Sequence, residues 1–144
     1  MIIVAGATGD LGGRIVRELA GLGAPVAALV RTESSARHLE GMASQVRYAD
    51  FDDVDSIARA LNGVHCVVSA LSGLEPVILG AQGRLLDAAV KAGVPRFIPS
   101  DYAIDFRQVP QGSNRNLNLR SAFLQRAESS GLRLTSVLNG AFMD

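Results

Sequence analysis

Lysine is nearly absent from this sequence: Lys91 is the one example among 144 residues. A Tyr-x-x-x-Lys proton-transfer pair is therefore impossible, since Tyr48 is followed four residues on by Asp52 and Tyr102 by Phe106. Cysteine is as scarce. Cys66 stands alone, so no internal disulfide can form, which fits a reducing compartment and a cytoplasmic location. It lies in an apolar run and reads as unreactive core. The two histidines build no metal motif. His38 falls on a short exposed helix; His65 reads as a satisfied core or sheet-face residue of a strand, where its neighbour Cys66 points to the opposite face. No metal is expected. Excess charge of either sign is missing too, with 14 basic and 14 acidic side chains, so nothing draws the chain broadly to nucleic acid or to an anionic membrane. No apolar run approaches membrane-spanning length, and the opening Met1-Ile2-Ile3-Val4 lacks the basic flank of a secretory signal. Ser69, Ser72 and Ser100 have no nucleophile-elbow context, which leaves serine hydrolysis unsupported.

What is present is organised by the N-terminus. Ile2, Ile3 and Val4 form the unbroken apolar run of a parallel strand buried on both faces, and Gly6, Gly9 and Gly12 follow where that strand must turn. Leu11, Ile15, Leu19 and Leu22 then fall on one helical face. Glycine between a strand and a helix lets a pyrophosphate approach bare N–H groups at a helix N-terminus, where the macrodipole favours negative charge. The spacing G-x-x-G-x-x-G differs from the G-x-G-x-x-G of most dehydrogenases, but its position after a strand and before a helix points to a nucleotide.

Strands and helices alternate from there. Strands are predicted at 26–30, 45–48, 64–69, 96–99 and 132–138, and helices at 36–41, 54–61, 75–92 and 117–130. Residues 100–116 are polar and hold Pro110 and Gly112, which reads as a long loop over the site. Asp52, Asp53 and Asp55 read as capping charge for the helix that follows. The pattern predicts one α/β domain over residues 1–144, a doubly wound parallel sheet with strand order 3-2-1-4-5-6. Ligands of such sheets bind outside the carboxyl ends of the strands. Arg31 stands at the tip of the second strand, where an NAD-preferring site presents an acid to the ribose, so NADP(H) is the expected cofactor. Glu33, two residues on, could turn in toward the same ribose.

Gly6-Ala7-Thr8-Gly9-x-x-Gly12, Ala49-Asp50-Phe51-Asp52 and the run Arg96-Phe97-Ile98-Pro99-Ser100-Asp101-Tyr102 resemble the NmrA-like and isoflavone-reductase-like branch of the atypical short-chain dehydrogenases. So does Gly131-Leu132-Arg133-Leu134-Thr135 leading to Asn139-Gly140-Ala141-Phe142. The resemblance runs along the whole chain in order. It implies an NADP(H)-binding domain: Gly6, Thr8, Gly9, Asp10, Leu11 and Gly12 on the pyrophosphate, Arg31 near the 2′-phosphate, Asp50 and Phe51 against the adenine, and Ser69, Ala70 and Ser100 toward the nicotinamide. Members of that family continue into a smaller substrate domain, whereas this chain stops at Asp144, so the resemblance implies the N-terminal part of a longer protein. Its reductases also place a lysine on the helix before strand six, and that position here is Arg120. Arginine keeps the charge but gives up no proton at neutral pH.

Two functional classes fit. One is an NADPH-dependent reductase of a small organic substrate, with Ser100, Tyr102 or Arg120 holding the electrophilic oxygen. The other is a non-catalytic NADP(H) sensor that reports to a protein partner. For Tyr102 the alternative is a rim tyrosine packing the loop, and for Arg120 an exposed helix arginine.

Overall fold

The protein is described by a computed structural model over residues 1–31, 39, 41–101 and 104–140. Its strands are β1 (Ile2–Ala5), β2 (Val26–Val30), β3 (Gln45–Tyr48), β4 (Cys66–Ser69), β5 (Arg96–Ile98) and β6 (Arg133–Leu134). Among the described residues four α-helices accompany them, α1 (Asp10–Gly21), α2 (Val54–Ala60), α3 (Gln82–Lys91) and α4 (Arg115–Glu128). All strand pairs are parallel and the order is β3-β2-β1-β4-β5-β6, the doubly wound arrangement expected from the sequence.

The core divides by the pleat of the strands. Ile3, Ala5, Ala27, Leu29, Val67 and Phe97 face one layer, built with Ile57 of α2, Leu85 and Ala89 of α3, and Phe123 and Ala127 of α4. Val4, Val26, Ala28 and Val30 face the other, against Val16 of α1 and Leu39. Every residue of β2 is buried, which explains its unbroken apolar run. Phe97 and Phe123 fix α4 to β5 with ring centroids 6.1 Å apart.

Several expectations change. Leu22 does not join the inward face of α1: it caps the helix, is 82% exposed, and leaves Gly12, Ile15, Val16 and Leu19 to pack. His65 precedes β4 and is exposed, with Nδ1 2.9 Å from the N-terminal amine. The helix expected at 75–92 begins with a π-helical turn, Pro76–Ala81, which turns Val77 and Ala81 toward the ligand edge. The loop expected at 100–116 holds a 3-10 turn, Phe106–Gln108, and α4 starts before residue 117 because Asn114 caps it, accepting hydrogen bonds from the N–H groups of Asn116 and Leu117. The sixth strand is two residues instead of seven, and Val137 and Leu138 are exposed. Asp53 caps α2, as the acidic run implied. His38 lies outside the described residues.

Candidate functional site

The glycine turn is built by contact between backbones. Gly6 sits at φ +81°, and a Cβ there would lie 2.7 Å from the Ala70 carbonyl oxygen. Gly12 is pressed onto the same turn, where a Cβ would come 2.1 Å from the Gly6 oxygen. Gly12→Ala is therefore expected to lift α1 off the turn and destabilise the fold by about 1–3 kcal/mol or more. Thermal denaturation measures this, and an unchanged midpoint would mean that turn and helix are not in contact.

Gly9 is different. It is the exposed N-cap of α1 in extended backbone, and a Cβ there would meet only the Gly6 oxygen at 3.4 Å. The fold does not require glycine at this position. No side chain caps α1, so the N–H groups of its first turn face outward without a side-chain acceptor. A bare helix N-terminus whose glycine is needed only by something that approaches from outside fits an anionic phosphate.

Among the described residues three clefts border this turn; one of them, lined by Ala7, Thr8, Gly9, Arg14, Arg17 and Met42, reaches none of the other sequence-designated strand ends, and the remaining two do. The first, about 200 Å³, is lined by Gly6, Thr8, Arg31, Phe51, Val77 and Ala81 together with Leu29, Val30, Leu71 and Ser72. The second, about 710 Å³, shares Leu71 and Ser72 and runs past Gly9, Asp10, Leu11 and Ala70 to Ser100, Asp101, Asn116, Arg120 and Asn139. Together they place Arg31 and Phe51 at one end, the glycine turn in the middle, and the tips of β4 and β5 at the other.

Some sequence-designated residues stand elsewhere or are already engaged. Asp50 does not line either cleft: its carboxylate accepts from Asp52 N at 2.9 Å and its N–H donates to Ser56 Oγ at 3.0 Å, closing the turn that presents Phe51. Ser69 is buried and lines neither cleft. The Ser100 hydroxyl donates to the Leu71 carbonyl at 2.6 Å, and its N–H donates to Gln82 Oε1 at 2.9 Å. Ser100 thus ties the tip of β5 to the β4 loop. Arg120 is 6% exposed, so the exposed-arginine alternative does not hold; its Nη1 donates to the Asn116 carbonyl at 3.2 Å. Tyr102 and Glu33 lie outside the described residues.

Sequence reasoning missed four contributors. Arg84 donates from Nε to the Phe51 carbonyl (2.6 Å) and from Nη2 to Asp52 Oδ1 (2.7 Å), holding the wall of the first cleft. Gln82 is fully buried beneath Ser100, and a glutamine four residues beyond Ile78 on an apolar stripe was the legible sign. Asn116 and Asp101 line the second cleft. Burial pushes the Asp101 carboxyl above its ordinary value, while the bond from Ser136 Oγ and the Arg120 charge pull the other way. Burial likewise raises the Cys66 thiol, away from reactivity. Lys91 pairs with Asp55 at 2.5 Å and lines a separate surface cleft. Among the described residues no helix is long and apolar enough to cross a membrane.

Comparison with known proteins matches residues 1–143 to the NmrA-like family. The chain is 32% identical over 143 residues to an NAD(P)H azoreductase of Xenophilus azovorans, covering 99% of this chain and 49% of that protein. It is 36% identical over 115 residues to a bifunctional pinoresinol-lariciresinol reductase of Thuja plicata, covering 72% and 36%. Among solved structures, an NADPH-dependent quinone oxidoreductase of Escherichia coli, complexed with NADPH, superposes with a TM-score of 0.82 at 26% identity, covering 99% of this chain and 50% of that one. The chain thus spans about half the length of these relatives, or less.

Proposed function

The chain belongs to the NmrA-like family, and from that premise we propose that residues 1–144 are the NADP(H)-binding domain of an atypical short-chain reductase acting on a small organic substrate. The observation that carries the reading is Gly9, a glycine the fold itself does not need, at an uncapped helix N-terminus between two clefts. In this reading the turn from Gly6 to Gly12 holds the pyrophosphate, with Thr8, Asp10 and Leu11 along it. Arg31 holds the 2′-phosphate and Phe51 the adenine. The second cleft, with Ala70 and Ser100 at its floor, takes the nicotinamide and the substrate. A reduced nicotinamide supplies hydride; this chain's residues bind, orient and shield. The azoreductase, the pinoresinol-lariciresinol reductase and the quinone oxidoreductase support the reaction class. The half-buried, unpaired Cys66 supports a reducing, cytoplasmic setting.

Arg120 is the residue on which the reductase and sensor readings divide. In a reductase its buried charge stabilises negative charge developing on the substrate oxygen. The sensor reading is favoured by the arginine itself, which does not dissociate a proton. NADPH oxidation with quinone, enal and ketone acceptors tests this. For a reductase, Arg120→Met slows turnover by about tenfold or more, one charge contact of about 1.4 kcal/mol. Arg120→Lys, which keeps the charge and adds a dissociable proton, equals or exceeds the native rate. Tight NADPH binding with no oxidation of any acceptor by the whole protein to which these residues belong would establish the sensor instead.

A further inference from the structure

We propose that Asp101 holds and delivers the proton in the second cleft, with Ser136 as its link to solvent; the proposal rests on the reductase reading above. Among the described residues, the charged groups lining this cleft are Asp10 of α1, Arg120 of α4 and Asp101 itself, just beyond β5. Asp10 is ion-paired with Arg14 at 3.1 Å and its side chain is 81% exposed, open to bulk water instead of held in the cleft. Arg120 keeps its proton at any working pH. The Ser100 hydroxyl is committed to a hydrogen bond that it donates to the Leu71 carbonyl. Lys91 is held by Asp55 at another cleft.

Asp101 is 8% exposed, and its N–H donates to the Pro99 carbonyl at 2.9 Å, which fixes the residue immediately below the rim. One carboxyl oxygen, Oδ2, lies 2.5 Å from Ser136 Oγ, and Ser136 is itself exposed. The other, Oδ1, is buried without a hydrogen-bond partner. A buried carboxylate oxygen left unpaired costs more than a neutral carboxyl O–H awaiting an acceptor in the cleft. Desolvation therefore favours the protonated group, and the Ser136 bond and Arg120 charge accommodate the carboxylate once the proton has gone.

Hydride, supplied by a reduced nicotinamide dinucleotide, forms a C–H bond at the carbonyl carbon of an aldehyde or ketone, or an O–H bond at one oxygen of a quinone. The displaced π pair passes to the carbonyl oxygen or, through the ring, to the quinone's other oxygen. The Asp101 O–H bond breaks and an O–H bond forms on that oxygen, leaving a carboxylate, an oxidised nicotinamide and a neutral alcohol or hydroquinone. Solvent returns the proton through Ser136.

Carbon-13 NMR of aspartate-labelled native chain tests the resting state without any turnover. Asp101 should titrate above the ordinary carboxylate range, and Ser136→Ala should move it higher still by removing a bond to the carboxylate. With menadione and NADPH, kcat should fall as pH rises through that same midpoint. Asp101→Asn should lower kcat at neutral pH by about tenfold or more and erase that limb, with NADPH affinity held within about threefold, and Asp101→Glu should restore the limb. An Asp101 that titrates with the surface aspartates overturns the proposal, whether or not the variants fold. So does an Asp101→Asn protein that keeps both rate and pH limb. NADPH binding with no menadione reduction by the whole protein to which these residues belong overturns the reductase reading and this step together.

Discussion

Gly9→Val is expected to abolish measurable NADPH binding while leaving the fold intact. The backbone at Gly9 is extended, φ −83° and ψ 169°, a conformation that a β-branched residue adopts without strain. The first side-chain carbon would meet only the Gly6 oxygen, at 3.4 Å, so the protein has room for it. The methyl groups beyond it would stand over the open N–H groups of α1, where a pyrophosphate must come closest. Losing two charge-assisted backbone contacts, each worth about 1.5–3 kcal/mol, weakens binding by roughly 10²- to 10⁴-fold. Calorimetry of native and variant chains with NADPH reads this directly, and thermal denaturation controls for the fold. Equal affinities would remove the glycine turn from the site. The contrast with Gly12→Ala is part of the test, because that glycine is demanded by the protein's own backbone.

Arg31→Asp should reverse the choice between NADPH and NADH. Arg31 is exposed at the tip of β2 and lines the first cleft opposite Phe51 and the glycine turn. Its guanidinium can pair with a 2′-phosphate, a charge-assisted contact worth about 1.5–3 kcal/mol, or roughly 10- to 150-fold in affinity. An aspartate removes that contact, repels the phosphate and can accept from a ribose hydroxyl instead. Dissociation constants of both nucleotides for both proteins check it. Native protein binding NADH as tightly as NADPH, or a variant with unchanged preference, would contradict the assignment.

The sheet and its order were legible because a strand covered on both faces must be apolar throughout, as β2 is. The glycine turn and Arg31 were legible because both sit at a strand's carboxyl end, where this topology places its ligand. Other features depend on partners distant in sequence. The run at 132–138 looks like a strand, but β6 pairs only with β5, which ends at Ile98 before a proline without an N–H, so the ladder ends with it. Leu22 continues the helical period, yet α1 has closed at Gly21 and the chain turns at Gly23 with φ +75°. The bonds of Arg84 to Phe51 and of Gln82 to Ser100 cross 33 and 18 residues, and no local pattern encodes them. Asp101 could be read as part of a motif, but its burial depends on α4 and on the segment after β6.

The central claim, that the two clefts and the turn between them form one NADP(H) site, is tested most directly by amide NMR of the native chain titrated with NADPH. The largest shifts should fall on Gly9 to Gly12, on Arg31 and Phe51, and on Ala70 to Ser72, all saturating with one dissociation constant. Shifts concentrated instead at the separate cleft of Asp55, Arg59 and Lys91, or no shifts at about millimolar NADPH, would contradict it.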